Sequence, residues 1–253
     1  MGQQLRRSLE FCGLGTAVPY LEEQGVVDFD VLAEVTAEDI DGMVKEGLMP
    51  FMTGKLLKKK VHGFKHPSFR FLGNDVNHRN EKGASLLSES LYMFIRDDAP
   101  DGERSPQVDV VEKLLDNDAD PSVADDEYGY TPLIRCAEEG GCRNERDMNE
   151  WYRCMKLLLE HGAQVNQRKN DGKTALHAAV EEGGVSAVRL LEQHGADVSL
   201  KYYDKDNGRE YNALEWCKRK AKDSGYKTDP FIMRDLRSSA TAPRASPPAC
   251  SLM

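Results

Sequence analysis

No apolar run in this 253-residue chain approaches the roughly 20 residues that a membrane-spanning helix needs. No secretory signal opens it either. Its six cysteines, at positions 12, 136, 142, 154, 217 and 250, include no CxxC pair and follow no regular spacing. A reducing, cytoplasmic setting is therefore expected, and a disulfide framework is not. The sequence also lacks a Gly-rich phosphate loop, a nucleophile elbow and a metal-ligand cluster. His62 and His66 are four apart, but no Cys or carboxylate joins them at ligand spacing, which argues against zinc. No catalytic residue, cofactor or metal is expected. Basic charge is scarce where nucleic acid would need it: residues 73–217 hold 17 basic and 30 acidic groups, net −13, while 218–253 are near +5. That distribution disfavours nucleic acid as the ligand of the middle region.

What is present is a periodic unit. In DGKTALHAAVEEGGVSAVRLLEQHGADVSL, residues 171–200, Thr174 stands where a helix N-cap belongs. Ala175, Leu176, Ala178 and Ala179 give a short helix a small apolar face that admits a close neighbour. Gly183 and Gly184 stop it. Val185, Val188, Leu190 and Leu191 then define a second helix at three- and four-residue spacing, ended by Gly195. Such a helix pair has too little apolar surface to fold alone and requires neighbours of its own kind.

Those neighbours recur along the chain. Thr131, Pro132 and Leu133 repeat the opening, with proline at the first helical position, where its missing N–H is harmless. Leu158, Leu159, Gly162 and Ala163 repeat the LLxxGA ending, 33 residues before Gly195. Gly83, Ser85, Leu86 and Leu87, with Val110, Val111, Leu114 and Leu115, outline an earlier pair, and Asn212, Ala213, Leu214, Trp216 and Cys217 open a last one. These motifs and their period resemble the ankyrin repeat. Four repeats, or three and a cap, are expected over 73–237, entered at Gly73-Asn74-Asp75-Val76-Asn77 through a first hairpin. Two insertions, 97–105 and 141–149, fall at the same place in successive repeats, so their loops should lie on one face.

The resemblance implies a partner groove lined by hairpin tips and inner helices. Carried onto this sequence, its residues are Tyr128, Tyr130, Asp171 and Lys173 at the tips, and Arg135, Glu138, Glu139, Glu181 and Glu182 on the helices. Exposed Tyr128 and Tyr130 would anchor a protein partner. The glutamates would favour a basic surface. His177 would hydrogen-bond locally and brace adjoining hairpins, a structural role.

Residues 8–61 show short helical patterns whose apolar positions include Leu9, Leu14, Leu21, Val31, Leu32, Ile40, Leu48 and Leu57. Thr36 with Asp39 predicts a capping box. The order GL…YLEEQGV…DVLAEVTAEDI…TGKLLKKKV resembles a sterile alpha motif (SAM) domain, with Gly54 expected to begin the last helix and Met49-Pro50-Phe51-Met52 lengthening the connection before it. The resemblance implies SAM–SAM self- or hetero-association through acidic Glu34 and Glu38 on one copy and basic Lys55, Lys58, Lys59 and Lys60 on another.

The expected fold class is all-α: an ankyrin-repeat solenoid of helix-turn-helix units with short β-hairpin loops, preceded by a small SAM-like helical bundle. The expected divisions are 1–65 for that bundle, 66–72 as linker, 73–237 for the repeats and 238–253 as a disordered tail rich in Ser, Ala and Pro. The tail ends Cys250-Ser251-Leu252-Met253, which satisfies the C-a-a-X pattern and makes Cys250 a lipidation candidate. The expected function is a non-catalytic intracellular adaptor or scaffold. The alternatives are a scaffold tethered to membrane by a prenyl group on Cys250, and an RNA-binding regulator acting through the basic last helix of the bundle.

Overall fold

A computed structural model of the protein describes residues 1–61, 64, 66–93, 108–139, 145–223, 232–234 and 236–237. The chain opens with α1 (Gln3–Phe11), α2 (Val18–Glu23), α3 (Phe29–Glu34), α4 (Ala37–Lys45) and α5 (Phe51–Lys60). Local chemistry sets their starts. The Asp28 carboxylate accepts from the Val31 N–H at 2.9 Å and begins α3. The expected capping box opens α4: Thr36 N–H donates to Asp39 Oδ2 at 2.8 Å, and Asp39 N–H to Thr36 Oγ1 at 3.2 Å. The Thr36 hydroxyl, donating to Asp39 Oδ2 at 2.6 Å, and the Thr36 N–H together hold the Asp39 carboxyl below its ordinary range. Leu5, Leu9, Leu14, Leu21, Leu32, Ile40 and Leu57 are fully buried between these helices. Each contributes about 1.5–3 kcal/mol by leaving water.

Three expectations for this region change. Val31 and Leu48, placed in the core by their pattern, are 37% and 39% exposed. The last helix begins at Phe51 rather than Gly54. Met49, Pro50, Phe51 and Met52 therefore supply the helix approach and its first turn, not a longer loop. Gly54 is instead a contact point, since a Cβ there would meet Val44 Cγ2 of α4 at 2.4 Å. The segment 66–72, expected as a linker, is packed: Pro67–Phe71 form a 3₁₀ turn. Phe69 is buried edge-on to Phe64 (5.1 Å) and Phe29 (6.1 Å). The Ser8 hydroxyl donates to the Leu72 carbonyl at 2.8 Å, and Lys113 donates to the Phe11 carbonyl at 2.6 Å. The opening helices and the helices that follow thus share one apolar core.

The rest is a stack of helix pairs. They are α6 (Leu86–Met93) with α7 (Val108–Asp116), α8 (Pro132–Glu139) with α9 (Glu145–Glu160), and α10 (Ala175–Glu182) with α11 (Val185–Gln193); α12 (Ala213–Asp223) follows. Helices α6, α8, α10 and α12 pack in sequence as an inner layer, with α7, α9 and α11 behind them. Ala175, Ala178 and Ala179 of α10 are all buried, the small face that the spacing predicts. Gly183 ends that helix at φ 77°, a conformation with little cost only for glycine. Ile232 and Leu236 are buried at the far end of the core.

Between pairs, the chain forms hairpin turns that touch one another. Asp126 N–H donates to the Lys82 carbonyl (2.8 Å), Asn170 N–H to that of Tyr128 (3.0 Å), and Tyr203 N–H to that of Asp171 (3.2 Å). Among the described residues, the last hairpin alone is a regular antiparallel ladder, β1 (Lys201–Asp204) with β2 (Arg209–Asn212), Tyr202 facing Tyr211. The insertion 97–105 lies outside the described residues. So does the first part of 141–149, while the rest lengthens α9 to 16 residues.

Candidate partner-binding face

The hairpin turns and the inner helices α8, α10 and α12 form a face on which the expected groove residues gather. At the α8 end, sequence separates what structure joins. Asp125 is 7% exposed, and its Oδ1 accepts from the N–H groups of Tyr128, Gly129 and Tyr130 at 2.8, 2.9 and 3.3 Å. Its Oδ2 takes Arg135 at 2.8 Å. Burial alone would raise the Asp125 carboxyl, but these donors outweigh it and hold it below its usual range. Arg135 lies 4.2 Å from the Tyr130 ring centre, and the Lys169 ammonium lies 3.7 Å from the same centre. Tyr130 is therefore gripped by two cations and half-buried, not the exposed anchor the sequence suggests. Tyr128 is 55% exposed, and its hydroxyl bonds to Glu127, which raises its pKa.

Ion pairs run on across the face. Glu138 pairs with Lys169 at 3.2 Å. Burial would lower the Lys169 ammonium, yet the Tyr130 hydroxyl and Glu138 together raise it. Glu181 sits between Lys173 (2.7 Å) and Lys220 (3.4 Å). Lys173 and Glu181 thus neutralise each other within the fold. Glu182 is exposed, and its carboxyl is raised, first by burial of the carboxyl and then by the charges of Glu181, Glu138 and Glu139, against Lys220. Asp171 lies in the third turn, where its Oδ1 accepts from Lys173 N–H at 2.9 Å.

His177 joins this face to the last hairpin. Its Nδ1 accepts from the Thr174 N–H at 3.3 Å and lies 2.9 Å from the Thr174 hydroxyl, taking the place of a carboxylate in a capping box. Its ring meets Tyr202 edge-on at 5.2 Å. Burial drives its pKa down to about 4, aided by Lys173 and Arg168 and opposed by the backbone at Tyr211 and Leu200. The imidazole is a brace, as the motif implies.

The last hairpin adds residues that the motif does not mark. Tyr202, Tyr211 and Trp216 form one aromatic group, with Tyr202 and Trp216 edge-on at 5.3 Å and Tyr211 and Trp216 at 5.8 Å. Lys173 lies 5.0 Å from the Tyr202 ring centre, and Lys220 5.6 Å from that of Trp216. The concentration of Tyr202, Tyr203, Tyr211 and Trp216 in fifteen residues is the signal that would have found them.

In the opening helices, Glu34, Glu38 and Lys55 are exposed as expected. Lys58 is already paired, reaching both Asp41 oxygens of α4 at 2.9 and 2.8 Å. The side chains of Lys59 and Lys60, and all of Cys250, lie outside the described residues. No helix among the described residues is long and apolar enough to cross a membrane.

Stacked helix pairs joined by touching hairpins define a helical-repeat solenoid. Residues 103–202 match the family model for ankyrin repeats in three copies. Several curated proteins are similar over part of the chain. BCL-6 corepressor-like protein 1 of Homo sapiens is 28% identical over 151 residues, 57% of this chain and 8% of that protein. B-cell lymphoma 3 protein homolog of Mus musculus is 38% identical over 88 residues, 35% of this chain and 17% of that protein. SH3 and multiple ankyrin repeat domains protein 2 of Homo sapiens is 32% identical over 94 residues, 37% of this chain and 5% of that protein. The chain spans less than a fifth of each of these relatives.

Proposed function

We propose that this chain is a non-catalytic adaptor whose repeats hold a protein with a basic surface. The observation that carries this reading is the gathering of Glu138, Glu139, Glu181 and exposed Glu182 on one face, where the charges of the other three add to burial in raising the Glu182 carboxyl. A cation from a partner relieves that repulsion. Exposed Tyr128 supplies contact area at the rim of the same face. The test is affinity capture by the full chain against a Glu138→Lys/Glu182→Lys variant. The reading expects captured proteins to be lost from the variant while its Tm stays within a few degrees. Equal capture by both chains would remove the acidic face from the account.

The opening helices, on this reading, form the SAM-like module and join copies of the chain. Phe51 and Met52 are 69% and 70% exposed beside Lys55, while Val27 and Val31 are exposed beside acidic Asp28, Asp30 and Glu34. Two unlike patches, each apolar with charge of one sign, favour head-to-tail contact. Light scattering on the full chain should give a mass that grows with concentration and a Phe51→Glu variant that stays monomeric. A wild-type mass constant from micromolar to millimolar chain would end this part of the proposal.

A further inference from the structure

A cavity of about 360 Å³ opens between the third and fourth hairpins, lined among others by Tyr128, Asp171, Lys173, Tyr202, Tyr203 and Trp216. Tyr202 is 3% exposed. Its hydroxyl and the Trp216 indole nitrogen are both buried, and neither has a hydrogen-bond partner among the described residues. An indole N–H only donates, so the atom that would satisfy it is an acceptor. Native proteins rarely keep two such groups unmet side by side, because each costs free energy in the unbound state.

Charge says what should carry that acceptor. The lining carries four carboxylates, Asp171, Glu181, Asp204 and Asp206, against Lys169, Lys173 and Lys205, and the first two of these lysines are already paired, with Glu138 and Glu181. A carboxylate or phosphate is repelled there. A neutral carbonyl is not, and a cation beside it is favoured. At the mouth, Tyr128 and Tyr203 are 55% and 49% exposed and offer ring faces for a guanidinium. The Lys173 ammonium lies over both inner rings, 5.0 Å from Tyr202 and 5.7 Å from Trp216, on a flexible stem that can swing aside.

We propose that this cavity takes an arginine-centred stretch of an extended partner peptide. A backbone carbonyl of the peptide accepts from Trp216 Nε1 and Tyr202 Oη, and the guanidinium stacks at the mouth near Asp171. The proposal rests on the reading that this face binds a basic protein, and it names where and how one residue of that protein is held.

The chain has two tryptophans, and Trp151 is fully buried in α9, so it serves as an internal reference. The full chain, labelled with nitrogen-15, is titrated with acetyl-Gly-Arg-Gly-amide to about 10 mM, a range suited to the weak affinity of a single docked residue. The expected result is a saturable shift of the Trp216 indole N–H with Trp151 stationary, and at least about tenfold weaker binding of acetyl-Gly-Glu-Gly-amide. Tyr202→Phe removes the unmet hydroxyl and keeps the ring. It should raise the Tm of the unbound chain and weaken the arginine tripeptide about three- to tenfold. A purely structural tyrosine would lower the Tm and leave binding unchanged. The cavity assignment is overturned by an immobile Trp216 signal, by equal binding of the two tripeptides, or by unaltered affinity in Tyr202→Phe. If that happens while the Glu138→Lys/Glu182→Lys variant still releases its captured proteins, the adaptor reading stands and the cavity alone is lost.

Discussion

The two ends of the inner face use the same materials to opposite effect. At the α8 end, Tyr130 lies between Arg135 and Lys169, and each cation has its own carboxylate, Asp125 or Glu138. Three backbone N–H groups close the network on Asp125. At the α12 end, Tyr202 and Trp216 also lie against lysines, but among the described residues their own polar atoms are left unmet. An aromatic residue surrounded by cations is thus not one kind of feature. Where hydrogen-bonding capacity is exhausted, it is scaffold. Where capacity remains, it is a place for something else to bind.

The largest expected effect breaks the satisfied end. Asp125→Ala strands three N–H donors and leaves Arg135 facing Tyr130 without its counter-charge. The loss should be about 3–4 kcal/mol, below the extreme for buried pairs because Arg135 remains 27% exposed. Urea unfolding checks it: the midpoint should fall with little change in slope, since the surface released on unfolding is nearly the same. A loss under about 1 kcal/mol would mean that water replaces the carboxylate freely and that this end is no more closed than the other.

Between the two ends stands His177, and pH tests it. In the unfolded chain an imidazole titrates near 6.5, whereas His177 in the fold titrates at about 4. Between those values the unfolded chain takes up a proton that the folded chain refuses. Its contribution is therefore complete above about pH 6.5, declines as pH falls toward 4 and is gone below that, for a total of about 3 kcal/mol. Carboxylates titrate in the lower part of the same window, so the measurement is a difference. Unfolding free energies of wild type and His177→Asn should converge by that amount between pH 7 and pH 4. Parallel curves would show that the ring is not shielded and that the junction of α10 with the last hairpin is open to water.

The repeated pattern was legible because each unit carries its own punctuation. Thr131 and Thr174 mark helix starts, Gly162 and Gly195 mark ends, and the alanines of α10 announce close packing. The face was legible only as a list of positions. That Arg135 would spend its charge on Asp125, Glu138 on Lys169, and Glu181 on Lys173 and Lys220 depends on turns and helices meeting in space, and no local period encodes such meetings. Tyr130 shows the same limit: its position is that of a rim residue, and only Arg135 and Lys169 arriving from two directions make it scaffold. Gly54 misled for a related reason. Glycine often marks a helix boundary, but here it permits α4 and α5 to approach, a demand set by Val44. The segment 66–72 looked like a linker because proline and polar residues surround Phe69 and Leu72, the two that anchor it.

The smallest expected effect is also the sharpest contrast, because the same atom is removed at both ends. Tyr130→Phe deletes the hydroxyl that helps hold Lys169 charged, and the ring stays between its cations. It should destabilise the chain by about 0.5–1 kcal/mol, the net worth of one partly exposed hydrogen bond. Tyr202→Phe deletes a hydroxyl that bonds to nothing among the described residues, so it should stabilise by roughly 1 kcal/mol, the cost of burying an unmet polar group. The two shifts are modest, but their signs are opposite, and paired thermal scans at one pH separate them without any absolute scale. If both variants lose stability, the Tyr202 hydroxyl has an acceptor within the chain, and the difference between the ends disappears.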